Sequence, residues 1–160
     1  MYPWIVLLHV VGAFLFVLSH GASAWMAMLI RRERDRAQIG ALLDLSALSV
    51  GGTYVGLLLL LIGGIWAGIY GGHFGRGWIW AAIVLLVVVI VVMYAVATPY
   101  FIRLRGAVGM DSRGTPADPA LRASDDELAA LTARAPVVPL LGVGFGGLVL
   151  ILWLMVVKPF

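Results

Sequence analysis

Two histidines, His9 and His20, are the only side chains that titrate near neutral pH and lie deep inside an apolar segment of this sequence. A neutral imidazole can ligate a metal, relay a proton or form a hydrogen bond. The two residues are eleven positions apart, so a helix would place both rings on one face at depths that differ by roughly 16 Å. That separation excludes one metal ion bound by both histidines, and each is therefore a separate candidate site.

Both histidines belong to a 28-residue apolar stretch, Pro3 to Ile30, that ends at a basic cluster. As a helix it would be about 42 Å long, against a bilayer core of roughly 30 Å. A cleaved secretory signal is disfavoured, because no Lys or Arg precedes the stretch and the basic cluster follows it. The face that carries the histidines is rich in small and polar residues, which predicts that it packs inside the protein. That face includes Gly12, Phe16, Ser19, Ser23 and Ala27, and the lipid face includes Val10, Phe14, Val17 and Trp25.

The composition indicates one integral membrane domain. Of 160 residues, 62% are hydrophobic and only 12% are charged, which is more apolar surface than a soluble domain of this size can bury. The absence of cysteine excludes disulfides, thiolate metal sites and haem attached through cysteine. The net charge of +3 does not indicate nucleic-acid binding, because the basic residues lie at the edges of apolar segments. The expected partners are the lipid bilayer and either other membrane subunits or a second copy.

We predict an all-α integral membrane fold of four transmembrane helices. The predicted spans are residues 3–30, 45–71, 78–102 and 137–157, and the connections 31–44 and 103–136 are the larger loops. The first connection has a partly apolar face, so it either lies along the membrane surface or extends a helix. Thr98-Pro99 is expected to bend or end the third span. A capping box at Ser124 and Glu127 predicts a short helix that runs to about Ala133.

The distribution of basic residues predicts the orientation. The two larger connections contain nine arginines, whereas the other side has only Arg76 and Lys158. The positive-inside rule then places both larger loops in the cytoplasm and both termini outside. With short connections this gives an up-down-up-down bundle, as a multi-pass protein of the bacterial inner membrane.

Counting inwards from the outer ends of the spans shows which residues share a depth. His20 lies level with Thr53, Tyr54 and Tyr94 and with a glycine, Gly142. His20, Thr53, Tyr54 and Tyr94 form a predicted polar core cluster. In this cluster His20 either fixes packing through a hydrogen bond to a tyrosine or threonine, or it acts as a ligand or proton relay.

The residues predicted at the depth of His9 are apolar or aromatic, and the flat side chains among them are those of Trp66 and Trp153. No polar partner is expected for His9 except Lys158 reaching inward, or His73 from the glycine-rich turn after the second span. For His73 itself, we expect a surface residue of that turn.

The run Leu8-His9-Val10-Val11-Gly12-Ala13-Phe14-Leu15-Phe16-Val17 resembles the opening helix of several small bacterial membrane families. These are the DUF2269 predicted membrane proteins, the CopD-type copper-resistance proteins and the HemJ-type protoporphyrinogen oxidases. Four spans in about 150 residues look most like DUF2269. The likeness to the HemJ-type proteins implies that His9 is a metal ligand, holding the iron of a b-type haem.

Two functions from different classes remain open. In the first, the protein binds b-type haem through His9, with Trp66 and Trp153 lining the slot, and serves electron transfer or redox chemistry. In the second, it is a non-catalytic membrane subunit or scaffold that packs through glycine-rich helix faces in a larger complex. The sequence does not decide whether the protein is an enzyme.

Overall fold

The computed structural model describes residues 1–111, 115, 117 and 122–160. Within these residues every regular element is a helix. The helices are α1 (Tyr2–Ile30), α2 (Arg36–Tyr70), a short 3₁₀ helix (His73–Gly75), α3 (Gly77–Val108), α4 (Asp125–Ala133) and α5 (Val137–Val157). Among the described residues, four segments are long and apolar enough to cross a membrane, namely α1, α2, α3 and the segment Asp125–Val157, whose apolar part is α5. The predicted number of membrane helices is confirmed.

The helix ends differ from the predicted spans at two places. The first connection extends the second helix, because Asp35 caps α2 by accepting the backbone N–H groups of Ala37 and Gln38. The third helix does not end at Pro99 but runs on to Val108. It stops at Gly109, whose φ of 91° is a left-handed conformation that favours glycine. The predicted capping box and the short helix α4 are confirmed.

Helices α1 and α2 form a closely packed antiparallel pair. Gly12 lies against the backbone of Leu60, and Gly56 lies against the backbone of Phe16, so residue numbers rise along one helix as they fall along the other. A Cβ at Gly56 would lie only 2.5 Å from the Phe16 nitrogen, so the seam requires glycine. A hydroxyl contact of 2.9 Å between Ser23 and Ser46 joins the same two helices. The predicted inward face of α1 is confirmed.

The predicted lipid face of α1 is confirmed as well. Four of its residues are between 41 and 66% exposed, namely Val10, Phe14, Val17 and Trp25.

Helices α3 and α5 form the second antiparallel pair. The side chain of Val89 fills the space over Gly147 in the middle of α5, and at the start of α3 Phe160 packs on Gly77. The carbonyl of Phe160 accepts the backbone N–H of Trp78 at 3.2 Å. This bond satisfies one of the free N–H groups in the first turn of α3.

The two pairs are joined most firmly at one end of the protein, in a small apolar core that we call the end core. It comprises Ile30, Ile39, Leu43, Leu104, Ala107, Val108 and Leu128. Arginines hold this end together through backbone carbonyls. Arg36 donates to the carbonyls of Ala107 and Ala123 and pairs with Asp125 at 2.8 Å, and Arg105 donates to the Leu43 carbonyl at 2.8 Å. Since the last carbonyls of a helix have no partner within it, Arg36 completes the end of α3.

Candidate functional site

His20 lies at the crossing of α1 and α5. Its ring is stacked near Phe16, with centroids 6.1 Å apart, and tilted against Phe145 at 5.4 Å. Its Nε2 atom lies against the backbone of Gly144, where a Cβ would overlap it. The nitrogen is buried and has no hydrogen-bond partner among the described residues. Two aromatic rings and the backbone of Gly144 therefore position the His20 ring, and its Nε2 forms no hydrogen bond to the described residues.

The predicted polar core cluster does not form. Tyr54 and Tyr94 are 63 and 66% exposed, and the Thr53 hydroxyl donates to the Ser49 carbonyl of its own helix at 3.1 Å. The predicted common depth of His20 and Thr53 was nearly correct, because Ser19, next to His20, faces Gly52, next to Thr53. The predicted side-chain directions were wrong. Neighbouring positions on a helix point roughly 100° apart, so two side chains at equal depth need not meet.

The glycine level with His20 also differs from the predicted one. Its imidazole meets Gly144, two positions along α5 from Gly142.

His9 has a polar partner that the sequence did not indicate. Its Nδ1 atom lies 2.8 Å from the carbonyl oxygen of Leu60, so this nitrogen carries the proton and donates it. The ring fits over Gly64, where a Cβ would lie 2.8 Å from Nδ1, and the adjacent Gly63 lies against the His9 backbone. The adjacent glycines were the available signal, because they are what lets an imidazole reach the main chain of the neighbouring helix.

The aromatic side chains assigned to the level of His9 do not enclose it. Trp66 and Trp153 are each 49% exposed, so half of each ring faces outwards. Within the described ranges, no group of three or more His, Asp or Glu side chains is arranged to hold a metal ion. His9 thus offers one ring nitrogen, Nε2, beyond its hydrogen bond.

The turn between α2 and α3 holds a cluster that sequence reasoning missed. The ring of His73 is 5.6 Å from that of Trp78, and the Lys158 amine lies 5.5 Å from the Trp78 ring centre. Trp78 is only 3% exposed, and neither its indole nitrogen nor Nδ1 of His73 has a described partner. His73 is thus partly buried, not a free surface residue. Lys158 joins Trp78 here, and neither it nor His73 is the partner of His9.

One face of α5 is left open. Gly142 and Gly146 are exposed, and a Cβ at either position would meet nothing within 4 Å. They line an apolar groove of about 680 Å³ between α3 and α5. Val138 and Val149 continue this face and are 71 and 64% exposed. We call these four residues the α5 glycine face.

In the part of the chain that the structure describes, four helical segments are long and apolar enough to span a membrane, and glycine contacts pack these helices together. They define an all-α integral membrane protein, which contacts the lipid bilayer. Residues 3–159 match the family described as predicted integral membrane protein DUF2269, and the chain belongs to this family. No curated protein and no solved structure matches the chain. The resemblance to the CopD-type and HemJ-type proteins stays a prediction.

Proposed function

We propose that this protein is a non-catalytic membrane subunit that assembles with a second copy of itself through the α5 glycine face. The observation that supports this proposal is the open space over Gly142 and Gly146. Glycines four positions apart lie on one side of a helix and allow another helix backbone to approach closely. A symmetric pair would bring the same face of each copy together.

The use of glycine elsewhere in the protein favours this assignment. Within the apolar helices, Gly12, Gly56 and Gly63 each receive the backbone of a neighbouring helix. Gly142 and Gly146 are glycines of the same kind on an apolar helix, but a Cβ at either would meet no neighbour within 4 Å. Glycine exposed to lipid gains no packing, since lipid chains contact a leucine at least as well.

We further propose an up-down-up-down arrangement in the bacterial inner membrane, with both termini outside. The nine-to-two distribution of basic residues supports this orientation. The end core and its arginines would then lie at the cytoplasmic surface. A reporter fused after Phe160 tests the orientation, and a cytoplasmic location of the reporter would overturn it.

Association through α5 can be tested with the double substitution Gly142→Leu/Gly146→Leu. Two differently tagged copies of the wild type should co-purify from mixed expression, and the double variant should lose at least about tenfold of this association. Gly51→Leu is the matched control, because Gly51 is another exposed membrane-helix glycine with nothing within 4 Å. Equal association of the wild type and the double variant would contradict the proposal.

A second candidate is binding of b-type haem through His9. The hydrogen bond from Nδ1 to the Leu60 carbonyl favours it, because metal-ligating histidines usually donate their other N–H to such a group and leave Nε2 for the metal. The surroundings fit less well. The ring is wedged over Gly64, and Trp66 and Trp153 are each half exposed, so these tryptophans do not form a closed slot around the nitrogen.

The visible spectrum distinguishes the two candidates. Protein purified from haem-replete cells should show a Soret band that His9→Ala abolishes if haem is bound through His9. His20→Ala is the control, because the His20 ring lies at another helix crossing. A colourless wild type would remove the haem candidate and leave the subunit proposal untouched.

A further inference from the structure

A basic cavity lies at the end of the protein where the start of α2, the end of α3 and the start of α4 meet. Its volume is about 530 Å³, and three arginines line it, namely Arg34, Arg36 and Arg122. Val108 and Met110 supply apolar wall on the side of the end core. The cavity therefore sits where apolar membrane helices give way to a polar surface, which is the depth of lipid headgroups.

The carboxylates that line the cavity are already engaged. The Asp35 side chain caps α2 by accepting two backbone N–H groups. Asp125 pairs with Arg36 at 2.8 Å, and the same guanidinium donates hydrogen bonds to the carbonyls of Ala107 and Ala123. Backbone N–H groups thus satisfy the Asp35 carboxylate, and Arg36 satisfies that of Asp125, so each of these carboxylates has a partner within the protein.

Two arginines that line the cavity, Arg34 and Arg122, have guanidinium groups that can still bind an anion. Arg34 uses only its Nη1 atom, which donates to Thr132 at 3.1 Å and to the Ala129 carbonyl at 3.5 Å. Arg122 lies along Gly109, where a Cβ would collide with its Nε and Cγ atoms. Neither arginine forms an ion pair with a carboxylate in the part of the chain that the structure describes. Glu33, which directly precedes Arg34, accepts the backbone N–H groups of Arg34 and Asp35 with its carboxylate.

We propose that this cavity binds the phosphodiester headgroup of an anionic phospholipid, with Arg34 and Arg122 as its two cationic contacts. Guanidinium groups bind phosphate oxygens through paired, charge-assisted hydrogen bonds. Basic pockets between membrane helices are typical sites for anionic headgroups. The apolar wall at Val108 and Met110 suits the start of the acyl chains. The site is independent of the α5 glycine face, which involves other helices.

The test uses the full-length protein in detergent, titrated with phosphatidylglycerol or with zwitterionic phosphatidylcholine and read by native mass spectrometry. Phosphatidylglycerol should bind more tightly than phosphatidylcholine. Arg34→Gln/Arg122→Gln should weaken its binding about 30-fold, and Arg122→Gln alone about 5-fold. Arg31→Gln/Arg32→Gln removes the same charge from exposed positions of the same turn and should change binding less than about twofold.

Three results would overturn the proposal. The first is an equal loss in Arg31→Gln/Arg32→Gln, which would mean binding by net surface charge. The second is equal affinity for the two lipids. The third is complete displacement of phosphatidylglycerol by millimolar inorganic phosphate, which would assign the cavity to a free anion. Arg122→Gln keeps the test decisive if the double variant unfolds, because Arg122 donates no hydrogen bond to any described residue.

Discussion

The Nε2 atom of His20 rests on the backbone of Gly144, and only a residue without a Cβ leaves room for it. This contact joins α1 of the first helix pair to α5 of the second. The aromatic rings of Phe16 and Phe145 complete the enclosure at 6.1 and 5.4 Å. His20 thus acts as a packing wedge between the pairs, and its position depends on Gly144 more than on any polar group.

Gly144→Ala should separate α1 from α5. The added methyl group overlaps the imidazole, and overpacking of this kind costs about 1–3 kcal/mol. The thermal unfolding midpoint in detergent should fall accordingly. Gly51→Ala is the control, since a Cβ there meets nothing within 4 Å. In a His20→Ala background the same Gly144→Ala change should be nearly neutral, and an undiminished effect would show that the wedge is not the cause.

His9 and Gly64 should act as one unit. His9→Ala removes the hydrogen bond to the Leu60 carbonyl, which is worth about 0.6 kcal/mol on average in a membrane interior. Gly64→Ala should break the same bond by pushing the ring away, because the new Cβ would lie 2.8 Å from Nδ1. The double variant should therefore lose less stability than the sum of the single variants. Strict additivity in chemical denaturation would contradict this arrangement.

Arg36→Lys should weaken the junction of α2, α3 and α4. The guanidinium reaches the carbonyls of Ala107 and Ala123 and the Asp125 carboxylate together, whereas an ammonium group lacks this planar fork. A loss of about 2 kcal/mol is expected in unfolding experiments. Arg31→Lys, at an exposed position of the same turn, should change stability by less than about 0.5 kcal/mol.

The capping box of α4 should respond to acid. The backbone N–H and the hydroxyl of Ser124 both donate to Glu127 and hold the pKa of its carboxyl below the ordinary 4.5. A depressed folded pKa adds stability above the unfolded pKa, and that stability is lost as the pH falls through the folded value. A carbon-13 NMR titration of Glu127 should thus show a midpoint below 4.5. Ser124→Ala should return the midpoint towards that value, and an unchanged midpoint would contradict the capping contact.

The sequence predicted the elements of the fold because lipid imposes simple rules on them. Backbone groups in a bilayer must bond internally, so long apolar segments become helices. The small-residue stripe on the first segment correctly marked the face that meets α2, and Ser124 with Glu127 correctly marked the start of α4. These features depend on local pattern alone.

Contacts between helices were harder to predict, because they depend on rotation and pairing. A depth count placed His20 beside Thr53 and Tyr94, but it carries no information on which way each side chain points. The partner of His9 is a main-chain carbonyl. Every residue has such a carbonyl, so residue types do not predict which one His9 contacts. The hydrogen bonds from Arg36 to the Ala107 carbonyl and from Arg105 to the Leu43 carbonyl were hidden for the same reason, since both arginines appeared only as charges in the orientation count.

Disulfide cross-linking in native membranes tests the α5 association most directly, because the chain has no cysteine of its own. Val149→Cys places a thiol on the α5 glycine face, and Leu48→Cys places one on α2, where the wild-type leucine is 76% exposed. Disulfides require Cα atoms roughly 4.4–6.8 Å apart. Mild oxidation should link Val149→Cys into a covalent dimer and leave Leu48→Cys monomeric. Monomeric Val149→Cys, or equal cross-linking at both positions, would contradict the proposed assembly.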